Sequence, residues 1–359
     1  MRTVRRIGGF LVLALAALCL APSVIPPFLD RVYYRGPPND HFNGRRFFNP
    51  TGEPSEVHER GRIGFFLGAL FGNERAVWPE AVPVRQTVPP RRVEGDAMLV
   101  TWIGHATVLV QTQGLNILTD PIWAERASVV DFAGPMRARA PGVAFDKLPP
   151  IDLVLVSHSH YDHMDLATLK RLWDRDRPLI VTSLGNDAIL RGGGIESKAA
   201  DWGDTVPVRP GIDVVVERVH HWGTRWAADR NRALWSGFTI RLPAGNIFFA
   251  GDTGYGDGRW PREAAARGPV RLAILPIGAY EPRDFMKENH VNPEESVAIF
   301  EELDPVVALG MHWGTFQLTF EPIGDPPARL AALRRAKSIP DSRFVAPEPG
   351  QSFSVPARR

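Results

Sequence analysis

Four side chains able to ligate a metal ion, His158, His160, Asp162 and His163, fall within six consecutive residues. They lie inside the run Ser157-His158-Ser159-His160-Tyr161-Asp162-His163-Met164-Asp165. The preceding Leu153-Val154-Leu155-Val156 is apolar and rich in β-branched residues, as expected of a buried strand. Residues two apart on an extended segment point to one side, so His158 and His160 can reach one ion, as can Asp162 if the pattern continues. His163 then points elsewhere, which suits a second ion. Histidine totals only 10 of 359 residues, so three of them in six positions are not background. Imidazole and carboxylate ligands suit Zn²⁺, and iron or manganese fits the same ligand types.

The pattern H-x-H-x-D-H resembles that of the metallo-β-lactamase fold superfamily. The resemblance implies further ligands downstream, each after a strand. His221 follows the apolar stretch 213–219, Asp252 lies in Gly251-Asp252-Thr253-Gly254 after 247–250, and His312 lies in Met311-His312-Trp313-Gly314 after 306–309. It also implies a partition, with one ion on His158, His160, His221 and Asp252, and a second on Asp162, His163, His312 and the same Asp252 as a bridge. Ions roughly 3.5–4 Å apart can activate a shared water as a nucleophile near neutral pH. His220 neighbours His221, and a slip of one residue would exchange them; the following Trp222 matches the narrower family described next and selects His221. His105, in Gly104-His105-Ala106-Thr107, is either a donor to a ligand or a structural polar residue.

Several strings in order narrow the resemblance: Gly104-His105-Ala106-Thr107, Leu118-Thr119-Asp120-Pro121-Ile122, Gly251-Asp252-Thr253-Gly254-Tyr255, Ile277-Gly278-Ala279-Tyr280-Glu281-Pro282-Arg283, His290-Val291-Asn292-Pro293 and His312-Trp313-Gly314-Thr315-Phe316. Together they are similar to the N-acylphosphatidylethanolamine-hydrolysing phospholipase D family. What the resemblance implies is a phospholipid substrate, cleaved at its phosphodiester to phosphatidic acid and an N-acylethanolamine by two zinc ions. Asp162, Asp252 and His290 are then the candidate catalytic residues. Tyr255, Tyr280 and Arg283 are candidate substrate contacts, with Arg283 facing a phosphate, and Trp222, Trp226, Trp235 and Trp313 could line an acyl groove. A lactonase or β-lactam hydrolase would use the same metal site against a carbonyl carbon, and a non-catalytic metal-binding membrane protein is a third reading. Closed structural zinc sites seldom share a carboxylate, which disfavours the last.

At 44% hydrophobic residues the chain can bury a large core. From residue 98 short apolar runs alternate with helical segments. Strands are predicted at 99–103, 107–112, 115–118, 179–182, 237–242 and 272–275, and helices at 166–173 and 293–303. The consistent fold is α/β, a metallo-β-lactamase-type four-layer αβ/βα sandwich over residues 96–359. A net charge of +2 argues against a protein that binds nucleic acid by bulk positive charge. Oligomeric state leaves no mark on the sequence.

The start, Met1-Arg2-Thr3-Val4-Arg5-Arg6, is basic and is followed by an apolar stretch over 7–21 and then Pro22, Pro26 and Pro27. Residues 1–29 therefore read as a signal anchor or signal peptide, and the lack of a clean cleavage site favours the uncleaved anchor. With the basic residues on the near side, the catalytic domain is expected beyond the membrane, in a periplasmic or extracytoplasmic position at a membrane surface. Residues 30–95 read as an extension that packs across the catalytic domain or lies on lipid, packing being the default for so few aromatic residues.

Overall fold

The computed structural model describes residues 31–50, 75–226 and 228–358; the predicted anchor and residues 51–74 of the extension lie outside them. Among the described residues no helix is long and apolar enough to cross a membrane.

Two seven-stranded mixed sheets form the body. The first contains β1 (Met98–Gly104), β2 (Thr107–Thr112), β3 (Leu115–Thr119), β4 (Leu153–Val156), β5 (Leu179–Ser183), β6 (Lys198–Ala200) and β14 (Ser352–Ser354), in the order β14-β1-β2-β3-β4-β5-β6. The second contains β7 (Thr205–Arg209), β8 (Ile212–Glu217), β9 (Gly237–Arg241), β10 (Asn246–Phe249), β11 (Val270–Pro276), β12 (Val307–Met311) and β13 (Phe344–Val345), in the order β13-β12-β11-β10-β9-β8-β7. In each sheet an antiparallel half passes into a parallel half, at β3 to β6 and at β10 to β13.

Alternation along the strands decides the layering. Val100, Trp102, Leu153 and Leu155 of the first sheet join Val214, Phe238, Ile274 and Leu309 of the second in one core. The intervening Leu109, Val154, Val156 and Ile180 point the other way, onto helices α1 (Leu166–Asp176) and α2 (Asn186–Gly192). Helices α3 (Trp260–Ala265), α5 (Pro293–Leu303) and α6 (Asp325–Ala336) attend the second sheet, and the short α4 (Arg283–Met286) precedes α5. The result is helices, sheet, sheet, helices. Helix α5 has the expected bounds and a complete capping box between Asn292 and Glu295. Helix α1 runs past the expected 173 to Asp176 and stops at Arg177, which is left-handed.

The described parts of the extension pack on this body. Phe42 and Phe47 are 1% exposed and belong to the main core, and His41 lies over Trp202 with ring centroids 4.6 Å apart. His41 Nε2 is 2.7 Å from Asp201 and Nδ1 is 2.6 Å from Asp40. Burial lowers the His41 pKa, but Asp201 and Asp40 more than offset it, so the net shift is upward; burial raises Asp201, and His41 reverses that to a net lowering. The raised histidine contributes stability that is full below about pH 6.5 and is lost as pH rises through its folded pKa; the lowered aspartate contributes above about pH 4 and is lost as pH falls through its own. The expected result is that His41→Ala lowers Tm more at pH 5.5 than at pH 8.5, by roughly 1–3 °C, because a partly solvated pair in a chain this size is worth about 1 kcal/mol or less. Equal losses at both pH values would show that the pair does not hold this segment.

Candidate metal centre

The site gathers where strands of both sheets end, the usual place for ligands in sheets of this kind. Strand β4 ends at Val156, and the turn after it carries His158, His160, Asp162 and His163 before Asp165 caps helix α1 by accepting from the Ala167 and Thr168 amides. That cap is worth about 1 kcal/mol and joins the turn rigidly to a helix. Asp120 follows β3, His221 follows β8, Asp252 follows β10 and His312 follows β12. Gly251 (φ 60°) allows the second sheet to approach the first, since a Cβ there would lie 2.7 Å from Ser157 Cβ. Three residues at this end, His105 (φ 54°), Asp120 (φ 30°) and His312 (φ 64°), adopt left-handed backbone, and the cost, of order 1–3 kcal/mol each, is typical of functional sites.

His158, His160 and His221 form one group of converging ligand atoms, and His105, Asp162, His163 and His312 form another. His158 Nε2 is 2.8 Å from His160 Nδ1, and His221 Nε2 is 3.4 Å from the same His160 nitrogen. Between the groups sits Asp252, whose Oδ2 is 3.1 Å from the Nε2 atoms of both His163 and His312 and 3.9 Å from His221 Nε2. Thus His158, His160, Asp162, His163, His221, Asp252 and His312 are all brought together. Asp162 also lies 3.3 Å from His163 and 3.4 Å from His312.

Charge and protonation favour a cation here. Burial holds His158 and His221 well below the usual histidine pKa and His160 at about 4, so these three present neutral nitrogens. Burial also opposes the charge on Asp162 and Asp252, yet the neighbouring His163 and other histidines hold both carboxyls well below their usual range. The converse holds for His163, raised well above its usual value, and His312, raised to about 9: burial lowers each, but Asp252 and Asp162 outweigh it. Protons therefore occupy the nitrogens that a bound ion would displace them from. Buried His160 Nε2 and Asp252 Oδ1 lack hydrogen-bond partners, as do His290 Nδ1 and His312 Nδ1. Nitrogens facing nitrogens, with orphaned buried acceptors among them, fit a metal.

Asp120 is the participant to which sequence reasoning assigned no role. Its carboxylate accepts from the Ser157 amide at 2.7 Å and hydroxyl at 2.6 Å, and lies 2.6 Å from His163 Nδ1, which turns Nε2 toward Asp252. An acidic residue at a strand end, next to Pro121, was the available sign. His105 resolves toward the site: its Nε2 is 2.8 Å from Asp162 Oδ2, and burial lowers its pKa to about 3. His221 is in the cluster with Nδ1 2.9 Å from the Asn289 carbonyl, whereas His220 turns away, with Nδ1 2.7 Å from the Glu288 carbonyl. His290 stands at the edge, with Nδ1 3.8 Å from Asp252 Oδ2 and its pKa lowered by burial to about 4.

The side chains expected to contact substrate have partners within the protein. Tyr280 is fully buried and its hydroxyl donates to Asp325, so it does not line the rim. Arg283 donates to the His290 carbonyl at 2.7 Å and makes an ion pair with both oxygens of Glu295, which ties it to the loop and helix α5. Tyr255 packs its ring beside Gly258 and against the core. Trp235 and Trp313 are core residues, Trp226 is 41% exposed, and Trp222 meets the His160 ring edge-on at 4.4 Å.

Residues 115–313 match the family model described as Beta-lactamase superfamily domain. The chain is 34% identical to N-acyl-phosphatidylethanolamine-hydrolyzing phospholipase D 1 of Caenorhabditis elegans over 335 residues, covering 88% of this chain and 94% of that one. The chain belongs to this phospholipase D family of the metallo-β-lactamase superfamily. A mitochondrial family member from Saccharomyces cerevisiae is 32% identical over 70% of this chain and 55% of its own length. The isothiocyanate hydrolase from Delia radicum gut bacteria shares the fold, with a TM-score of 0.57 and 22% identity over 72% of this chain and all of that one. The chain is a metal-dependent hydrolase. Of the strings that carry the resemblance, those between residues 118 and 293 fall within this match.

Proposed function

We propose that this hydrolase uses two zinc ions to cleave the phosphodiester of an N-acylphosphatidylethanolamine-like phospholipid as a phospholipase D. The observation that carries the reading is the position of Asp252 between the two ligand groups, in a chain related to the worm phospholipase over nearly that protein's whole length. His158, His160 and His221 would hold one ion, Asp162, His163 and His312 the other, and Asp252 both. When bound, the pair supplies Lewis acidity and an activated water.

The protein residues have separate tasks. Asp120 and His105 orient His163 and Asp162 through the bonds described above. His290, on the edge of the cluster, kept neutral by burial and with a side chain 11% exposed, is placed to accept the attacking water's proton and pass it to the departing alcohol. Water adds to phosphorus, the bond from phosphorus to the N-acylethanolamine oxygen breaks, and that oxygen takes the proton.

A lipid surface suits the exterior. Phe132 and Met136, 79% and 56% exposed, lie on a loop that returns to the site where Arg137 bridges Phe316, whose ring meets His105 edge-on. We place the enzyme at a membrane, held by residues 1–29, with its catalytic domain periplasmic or extracytoplasmic. The test is turnover of purified, metal-quantified protein against lipid phosphodiesters, lactones and β-lactams in ¹⁸O-labelled water. The label is expected in phosphatidic acid; label only in the alcohol, or fast lactone or β-lactam opening without lipid turnover, overturns the assignment.

A further inference from the structure

We propose that the N-terminal segment 31–50 is a working part of the metal centre, acting through two positioning residues, Arg225 and Asn49. The inference rests on the reading that His158, His160 and His221 hold an ion. The segment lies outside the residues matched by the family model, and none of its residues belongs to the groups of converging ligand atoms.

The connection runs through the loop that leaves His221. Arg225 on that loop extends its guanidinium under the metal-binding turn and donates to the carbonyls of Ser159 at 3.0 Å and Met164 at 2.9 Å. One side chain thus grips the turn on both sides of His160, Asp162 and His163. The Tyr161 ring lies 4.1 Å from the guanidinium, and its hydroxyl donates back to the Arg225 carbonyl at 2.9 Å. Burying a guanidinium is costly unless its donors are used. Here Nη1 donates to two carbonyls of the turn.

Arg225 is itself held by Asp229, which is 1% exposed. The Asp229 carboxylate accepts from the Thr224 hydroxyl at 2.6 Å, from the Arg225 amide at 3.0 Å and from the Trp226 amide at 2.9 Å. Its fourth donor, at 2.9 Å, is the hydroxyl of Tyr33 in the N-terminal segment. The same segment binds the loop elsewhere: the Phe47 amide donates to the Asn231 carbonyl at 2.8 Å, and Arg46 donates to the Ala228 carbonyl at 3.0 Å. Asn49, 4% exposed, then donates its Nδ2 to the carbonyl of His221 at 3.1 Å. The segment therefore reaches a ligand's own backbone through Asn49 and the metal-binding turn through Asp229 and Arg225.

Metal affinity depends on ligand placement within about 0.2 Å, and groups one bond removed from the ligands typically contribute about 10–100-fold. The experiment measures Zn²⁺ affinity of the full chain by competition with a chromophoric chelator, together with the Tm of the metal-free protein. Arg225→Met is expected to weaken binding by roughly 10–100-fold. Arg225→Lys, whose ammonium can still reach one carbonyl, should recover part of the loss. Asn49→Ala should weaken binding by about 3–10-fold, at the low end of that scale, while the metal-free Tm stays within roughly 2 °C of wild type.

Affinities within about threefold of wild type in both Arg225→Met and Asn49→Ala overturn the inference while leaving the metal site standing. Should Arg225→Met fail to fold, Asn49→Ala decides by the same threshold. A wild-type chain that takes up no zinc overturns the metal-site reading and this inference with it.

Discussion

Asp252→Ala is expected to empty the metal centre of both ions and to lower kcat/KM by roughly 10²–10³-fold or more, the scale for removing one preorganised electrostatic group from an active site. The magnitude follows from position: a single oxygen of Asp252 lies 3.1 Å from nitrogens of both His163 and His312, and it also approaches His221. Asp162 contacts His105, His163 and His312 of one group, and Asp120, which also lies near His158 and His163, is engaged by Ser157 and by Nδ1 of His163. The substitution also removes the negative charge that raises the pKa values of His163 and His312, so the nitrogens are left buried without their main partner. Elemental analysis after gel filtration checks the first expectation. One ion per wild-type chain, or two retained in the variant, would remove Asp252 from the bridging position.

His221→Ala and His220→Ala should differ by a similar factor. His221 is fully buried, directs Nε2 into the cluster and fixes that orientation by placing Nδ1 on the Asn289 carbonyl. Its loss should remove metal from the His158 and His160 group and cost about 10²-fold or more in activity. His220 is bonded to the Glu288 carbonyl and packs against Gly256, outside the cluster. His220→Ala should cost about 1–2 kcal/mol of stability through the lost buried hydrogen bond and keep its metal within roughly threefold. Metal content and Tm of the two variants separate the cases, and the opposite ranking would shift the ligand by one residue.

Much of this site was legible in the chain because its ligands are consecutive or follow apolar strands. His158, His160, Asp162 and His163 share one turn, so their spacing alone brings them together. His221, Asp252 and His312 required the family resemblance, since they are separated by whole supersecondary units. The substrate contacts were less legible: a tyrosine or arginine after a strand can face the site or the interior. Only the neighbours decide, as Asp325 does for Tyr280 and Glu295 for Arg283.

The strands divide in the same way. The ten inner strands, β1 to β5 and β8 to β12, were all visible as apolar runs, because a strand covered on both sides must be apolar to be buried. The remaining four, β6, β7, β13 and β14, are the four sheet edges. They are short or partly exposed, and β7 contains Pro207, so their sequences carry no run to detect. By itself the sequence determined the inner strands, the metal-binding turn and the helices that Asp165 and Asn292 cap, since each of these is specified by neighbours along the chain. Tertiary structure alone decided that Asp120 would orient His163 and that the segment 31–50 would reach His221. Each of these depends on contacts across the two packed sheets, which no local pattern encodes.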